Sequence, residues 1–205
     1  MEPDRPMSST SQAQVSGLAR PRGFSLVELL VVIAVIGLLA VITVPALTSV
    51  MQSSDLTRGG QLVADQVNLA RQTASSRNQV IELRLIKIAG RKGYAATQLW
   101  RADDSGQMSP ARRIVNLPQS VTIADNTLSP AIASLPTGSM TLGGASVSYC
   151  ALQIRPSGEV TPIVDMKDLV FTIVPEVFAG NTSLPANYFL VQINPVTGTP
   201  LVYRP

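Results

Sequence analysis

The chain has 205 residues, a formal net charge of +3 and 45% apolar content, with no histidine and one cysteine. That length holds one domain of ordinary size plus an anchor. Without histidine, Ser-His-Asp and Cys-His nucleophile arrangements are excluded and the commonest metal ligand is missing. Cys150 alone can neither close an internal disulfide nor build a thiolate cluster, and a buried apolar thiol is expected.

Residues 1–23 are rich in Pro, Ser and Gln, lack apolar periodicity and end on Arg20, Arg22 and Gly23. The next stretch, "FSLVELLVVIAVIGLLAVITV" at 24–44, carries one charge, Glu28. At a rise of about 1.5 Å per residue it spans about 31 Å, one bilayer core. The nearest other apolar run, "LVFTIV" at 169–174, is far too short, so a single span is expected. A secretory signal would have a shorter apolar core and a small-x-small cleavage site. A plain anchor fits the length but accounts for neither the preceding segment nor the acid, which costs about 2.5–3.5 kcal/mol inside a span. The arginine flank sets the amino terminus in the cytoplasm and residues 46–205 outside.

"RGFSLVELLVVIAVIGLLA" resembles the type IV prepilin signal: a basic leader ending in Gly, an aromatic residue, then Glu as the fifth residue after the Gly. The resemblance implies that a prepilin peptidase cuts between Gly23 and Phe24 and that the new amine of Phe24 is methylated. It implies assembly with other pilin or pseudopilin subunits at an inner-membrane platform. The place implied is a single pass through inner-membrane lipid with a periplasmic carboxy-terminal domain, and later a pilus or pseudopilus. Phe24 and Glu28 stand at i and i+4, on one face of a helix. After cleavage a neighbour's Glu28 can pair with the Phe24 amine, lowering the cost of the buried acid and fixing the stagger. Snorkelling of Glu28 to the headgroups is the competing reading.

Residues 45–78 read as an extracytoplasmic helix. In pilin-like proteins a proline at the place of Pro45 lies within the helix and bends it. Leu62, Val63, Val67, Ala70 and Ala74 recur at helical spacing and form a stripe for the protein's own sheet. Gly59 and Gly60 mark a soft point or break, since each glycine costs about 1 kcal/mol relative to alanine in a helix.

From residue 79 the period becomes two, and 79–205 reads as a β-rich domain. "NQVIELRLIKI" sets Ile81, Leu83 and Leu85 against Val80, Glu82 and Arg84, the pattern of a half-buried strand. "AGRKGY" turns the chain into a return strand at "YAATQLW", and further strands are expected at "RIVNL", "VTIA", "SVSYCALQI", "LVFTIV" and "YFLVQIN". Eleven of the 15 prolines lie from Pro110 onward and punctuate short strands. The fold class is α+β: one long amino-terminal helix laid on an antiparallel sheet.

The helix-to-strand region and the turns "QIRPSGEV" and "QINPVTGTPLVYRP" are similar to those of H-type minor pseudopilins of type II secretion and of related minor pilins. Over nearly the whole chain the segments look most like the prepilin-type group called Verru_Chthon cassette protein D. The function implied is a pilin-like structural subunit, a minor component of a secretion-type or type IV pilus-like filament. No Gly-rich phosphate loop precedes a helix, so neither catalysis nor a cofactor is expected. Asp103–Asp104 and Asp165–Asp168 read as solvated turns, their spacing unlike a calcium loop. Residues 71–113 hold nine basic residues against three acids. The alternative they raise is a DNA-uptake or surface-binding minor pilin using Arg84, Lys87, Arg91 and Lys92 as a basic face. Solvated strand and helix faces are the preferred reading of those charges.

Overall fold

The computed structural model describes residues 23–205 except Asp104, Ile163 and Val164, with backbone alone for 42–49. The leader at 1–22 lies outside the described residues. The chain divides into two compact units, Met1–Val44 and Pro45–Pro205. Helix α1, Leu26–Arg77, supplies helical residues to both. The bend expected at Pro45 falls among residues whose side chains are not described.

In the second unit α1 ends where Asn78 takes a left-handed φ of 50°. The Gln79 amide then donates to the Ala74 carbonyl at 3.2 Å, a Schellman closure that asparagine tolerates without glycine. The buried apolar side chains of this part of the helix are Leu56, Val63, Ala64, Val67, Ala70 and Ala74. They form one hydrophobic core with the strands.

Helix α1 runs unbroken through Gly59–Gly60, where a soft point or break was expected. Counting 56, 60, 63, 67, 70 and 74, the core stripe passes through Gly60 in steps of four and three. A Cβ there would stand 2.2 Å from Cδ1 of the buried Phe189 ring, and one at Gly59 would stand 2.9 Å from a Val121 methyl. The glycines admit the sheet to the helix, and that contact outweighs their helix-propensity cost. Gly60→Ala is therefore expected to destabilise the protein by about 1–3 kcal/mol, the usual cost of overpacking, although alanine favours helix. Thermal melts of Gly60→Ala, Phe189→Leu and the double variant check this: the double variant should recover part of the loss, and a raised melting temperature for Gly60→Ala alone would refute it.

The strands are β1 (Ile81–Ile86), β2 (Ala96–Ala102), β3 (Met108–Pro110), β4 (Val115–Asn116), β5 (Val121–Ile123), β6 (Thr137–Leu142), β7 (Ala145–Ile154), β8 (Val160–Thr161), β9 (Val170–Pro175), β10 (Phe189–Ile193) and β11 (Pro200–Tyr203), with a short helix α2 at Pro130–Ser134. They build two antiparallel sheets where one was expected. The larger runs β3-β2-β1-β7-β6, with β4 on β2 and β8 on β7; the smaller runs β11-β10-β9-β5. An isolated bridge, Tyr94 to Ile123, links them. Core residues come from both sheets, so the helix stripe is covered by the two together.

Strand β1 is buried at every position, not on one face. Its Ile81, Leu83 and Leu85 belong to the core with the helix residues. On the opposite face Glu82 and Arg84 are 7% and 6% exposed. The Arg84 Nε donates to Glu82 Oε1 at 2.6 Å, and Gln153 Nε2 donates to Glu82 Oε2 at 3.1 Å. The guanidinium lies 3.7 Å from the Trp100 ring centroid and 4.1 Å from that of Tyr149. Gly138, paired to Tyr149 across β6 and β7, leaves room for the phenol, since a Cβ there would stand 2.6 Å from its oxygen.

Candidate functional site

The first unit opens with Ser25. Its Oγ accepts from the Val27 amide at 3.3 Å and its carbonyl from the Leu29 amide at 3.0 Å, so Ser25 is the N-cap of α1. Glu28 then sits in the first turn, favourably placed against the helix dipole. "SLVE" has the spacing of a capping box, a signal present in the sequence that the apolar run obscures. Phe24 lies before the helix. The helical i, i+4 relation between Phe24 and Glu28 is therefore not formed in the uncut chain, because the Ser25 cap starts the helix two residues after Phe24.

Every described residue from Gly23 to Val41 is exposed. The large apolar side chains among them include Phe24 at 76%, Leu26 at 85% and Val41 at 74%. No face of this stretch is polar apart from Glu28, so it lacks the stripe by which a helix packs on its own domain. A continuous exposed apolar surface of this kind marks a site of interaction with a membrane or with protein. Among the described residues no helix is long and apolar enough to cross a membrane. The described side chains of the run stop at Val41, short of the 24–44 span of the sequence.

The four residues of the expected basic face do not present free charge together. Arg84 is buried in the Glu82, Trp100 and Tyr149 cluster. The Lys87 ammonium pairs with Asp125 at 2.6 Å. Arg91 pairs with Glu176 at 3.1 Å and donates to the carbonyls of Leu117, Pro118, Gln119 and Val121, tying the β1–β2 turn to the approach to β5. Lys92 is exposed, and its amide donates to the same Glu176. Two of the cations counted along the sequence are thus paired with acids from outside that segment, Asp125 and Glu176.

Asp103 closes a turn by accepting from the Ser105 hydroxyl and from the Ser105 and Gln107 amides. The Ser105 hydroxyl and then the Gln107 amide hold its carboxyl below the usual range. Asp104 lies outside the described residues. Asp165 pairs with Lys167 at 3.5 Å on the surface. Among the described residues no group of three His, Cys, Asp or Glu side chains could hold a metal. Cys150 is fully buried, and desolvation pushes its thiol up to about 12. Burial, then the neighbouring Cys150, raises the Tyr94 phenol as well.

Residues 18–44 match the family model described as the prokaryotic N-terminal methylation motif. Gly23, Phe24 and Glu28 all fall inside that match. No curated protein matches the chain. Among solved structures, the chain is similar to the minor pseudopilin EpsH from the type 2 secretion system of Vibrio cholerae, at 12% identity over 74% of this chain and 96% of that one, with a TM-score of 0.43. A second EpsH structure gives 16% identity over 75% and 96%, also at 0.43. The type IV minor pilin FimU of Pseudomonas aeruginosa gives 11% identity over 74% and 89%, at 0.44.

Proposed function

We propose that this chain is a pilin-like structural subunit, a minor component of a type II secretion or type IV pilus-like filament, held in the inner membrane by residues 24–44 until its helix is drawn into the filament. The carrying observation is a helix apolar on all sides, carrying the methylation motif, in a chain whose other unit has its own core. Prepilin peptidase cuts after Gly23, the Phe24 amine is methylated, and a neighbour's Glu28 pairs with it. Pro45 bends the helix, and the second unit stands in the periplasm. The ion pairs of Arg84, Lys87 and Arg91, the first of them buried, speak against the nucleic-acid alternative, whose electrostatic term needs free cations.

Gly23→Leu tests the cleavage step. A Cβ at Gly23 meets nothing within 4 Å, so the substitution leaves the fold unaffected. Co-expressed with the peptidase, the variant should stay at its precursor mass while the parent shortens. Normal shortening of Gly23→Leu would refute the assignment of the cut.

A further inference from the structure

Strand β11 runs along α1 toward the start of the second unit. At one end of the β10–β11 hairpin, a Cβ on Gly198 would stand 3.4 Å from the Arg71 side chain. At the other, the Arg204 guanidinium donates to Ser53 Oγ at 2.5 Å and to Thr57 Oγ1. Ser53 and Arg71 are about 27 Å apart along a helix. The Ser53 end carries an uncovered apolar group: Val50 is 65% exposed, Met51 66%, Val202 50% and Tyr203 57%. β11 is also the free edge of its sheet.

We infer that this end of the domain, formed by Val50, Met51, Val202, Tyr203 and Arg204, rests on the headgroup layer of the membrane before the subunit is assembled; the inference presupposes that residues 24–44 anchor the chain. Three observations choose lipid as the occupant. Val50 follows Val44, the last residue of the apolar run, by six positions, a reach of at most about 20 Å even when fully extended. The patch therefore stays within reach of the interface whatever path those residues take. Tyrosine with arginine is the side-chain chemistry of that interface, the ring and aliphatic stem in the acyl boundary and the polar ends among headgroups. Finally, Arg204 is bonded to hydroxyls rather than to a carboxylate, so its charge is left for phosphates. The nearby acid Asp55 is engaged by the Ser120 hydroxyl at 2.6 Å.

The test uses the full chain in liposomes of phosphatidylcholine and phosphatidylglycerol that include a lipid with a nitroxide on its headgroup. A fluorophore is attached through Tyr203→Cys or, as comparator, Val196→Cys, 72% exposed at the other end of the hairpin; buried Cys150 stays unlabelled. Label at 203 should be quenched several-fold more than label at 196. Equal quenching with the chain floating on the liposomes overturns the inference and leaves the anchor standing. A chain that does not float overturns the anchor and the inference with it. A label at 203 shielded from aqueous iodide yet not quenched by lipid assigns the patch to a second protein copy and overturns the lipid assignment.

Discussion

Glu28→Ala is expected to leave the chain processed at Gly23 and stably folded, yet absent from filaments. Removing the acid lifts a cost of about 2.5–3.5 kcal/mol from an apolar span, so retention in the membrane should not suffer. The second unit keeps its core, because Glu28 belongs to the other unit. What disappears, on the proposed assembly, is the carboxylate that would pair with a neighbour's Phe24 amine. Because Glu28 also occupies the third position after the Ser25 cap, loss of helix capping needs separating from loss of pairing. Glu28→Gln does that: glutamine keeps the capping box but carries no charge. On the pairing account both variants are missing from sheared filaments on immunoblot. Incorporation of Glu28→Gln at the parent level would show that capping suffices and would sink the pairing account.

Arg84→Ala should be the most damaging single change in the second unit. It leaves the Glu82 carboxylate, 7% exposed, with Gln153 as its remaining side-chain partner, and opens a gap between the Trp100 and Tyr149 rings. Breaking a buried pair by removing one partner costs about 3–5 kcal/mol, which in a chain of this size lowers the melting temperature on the order of 10 °C. Arg84→Lys keeps the charge but not the planar group that lies between two rings, and should recover only part of the loss. Circular-dichroism melts of the detergent-solubilised chain check both, and a midpoint for Arg84→Ala within a degree or two of the parent would mean that the cluster contributes little. Sparing of Glu82→Gln/Arg84→Met relative to Arg84→Ala would separate the unpaired charge from the lost packing.

The same cluster shows where sequence reasoning reaches its limit. Alternation along "VIELRL" assigns Ile81, Leu83 and Leu85 to the core, where they are. It also assigns Glu82 and Arg84 to solvent, because the period sees one strand and not what lies across it. Their partners Trp100, Tyr149 and Gln153 arrive from β2 and β7, on either side of β1. Gly60 failed to read as a core position for a related reason. Propensity counts the cost of glycine within a helix, whereas the Phe189 ring that needs the space is supplied from β10. Strand β6, "TGSMTL", has no buried residue and alternates only between exposed and half-buried, so an edge strand left no hydrophobic signal. The division into two sheets likewise depends on long-range pairing. By contrast, the helix stripe at Val63, Val67, Ala70 and Ala74, the α+β class and the apolar head with its motif were all legible, since each rests on local spacing.

The basic residues repeat the lesson for the functional reading. Counting charge along 71–113 ignores Asp125 and Glu176, and it is those two that take up Lys87 and Arg91. The amino-terminal motif escapes this error, because its residues lie in register within one short segment.

The most direct test is the mass of the amino-terminal tryptic peptide from protein isolated from its own cells. With Arg22 and Arg58 flanking the segment and no Lys or Arg between them, trypsin fixes both candidate peptides. Cleavage by prepilin peptidase and methylation predict a peptide spanning 24–58 that begins at Phe24 and carries one extra methyl group on its amine. A peptide spanning 23–58, beginning at Gly23 and unmethylated, would show that the leader is still attached in the isolated protein and would contradict the account.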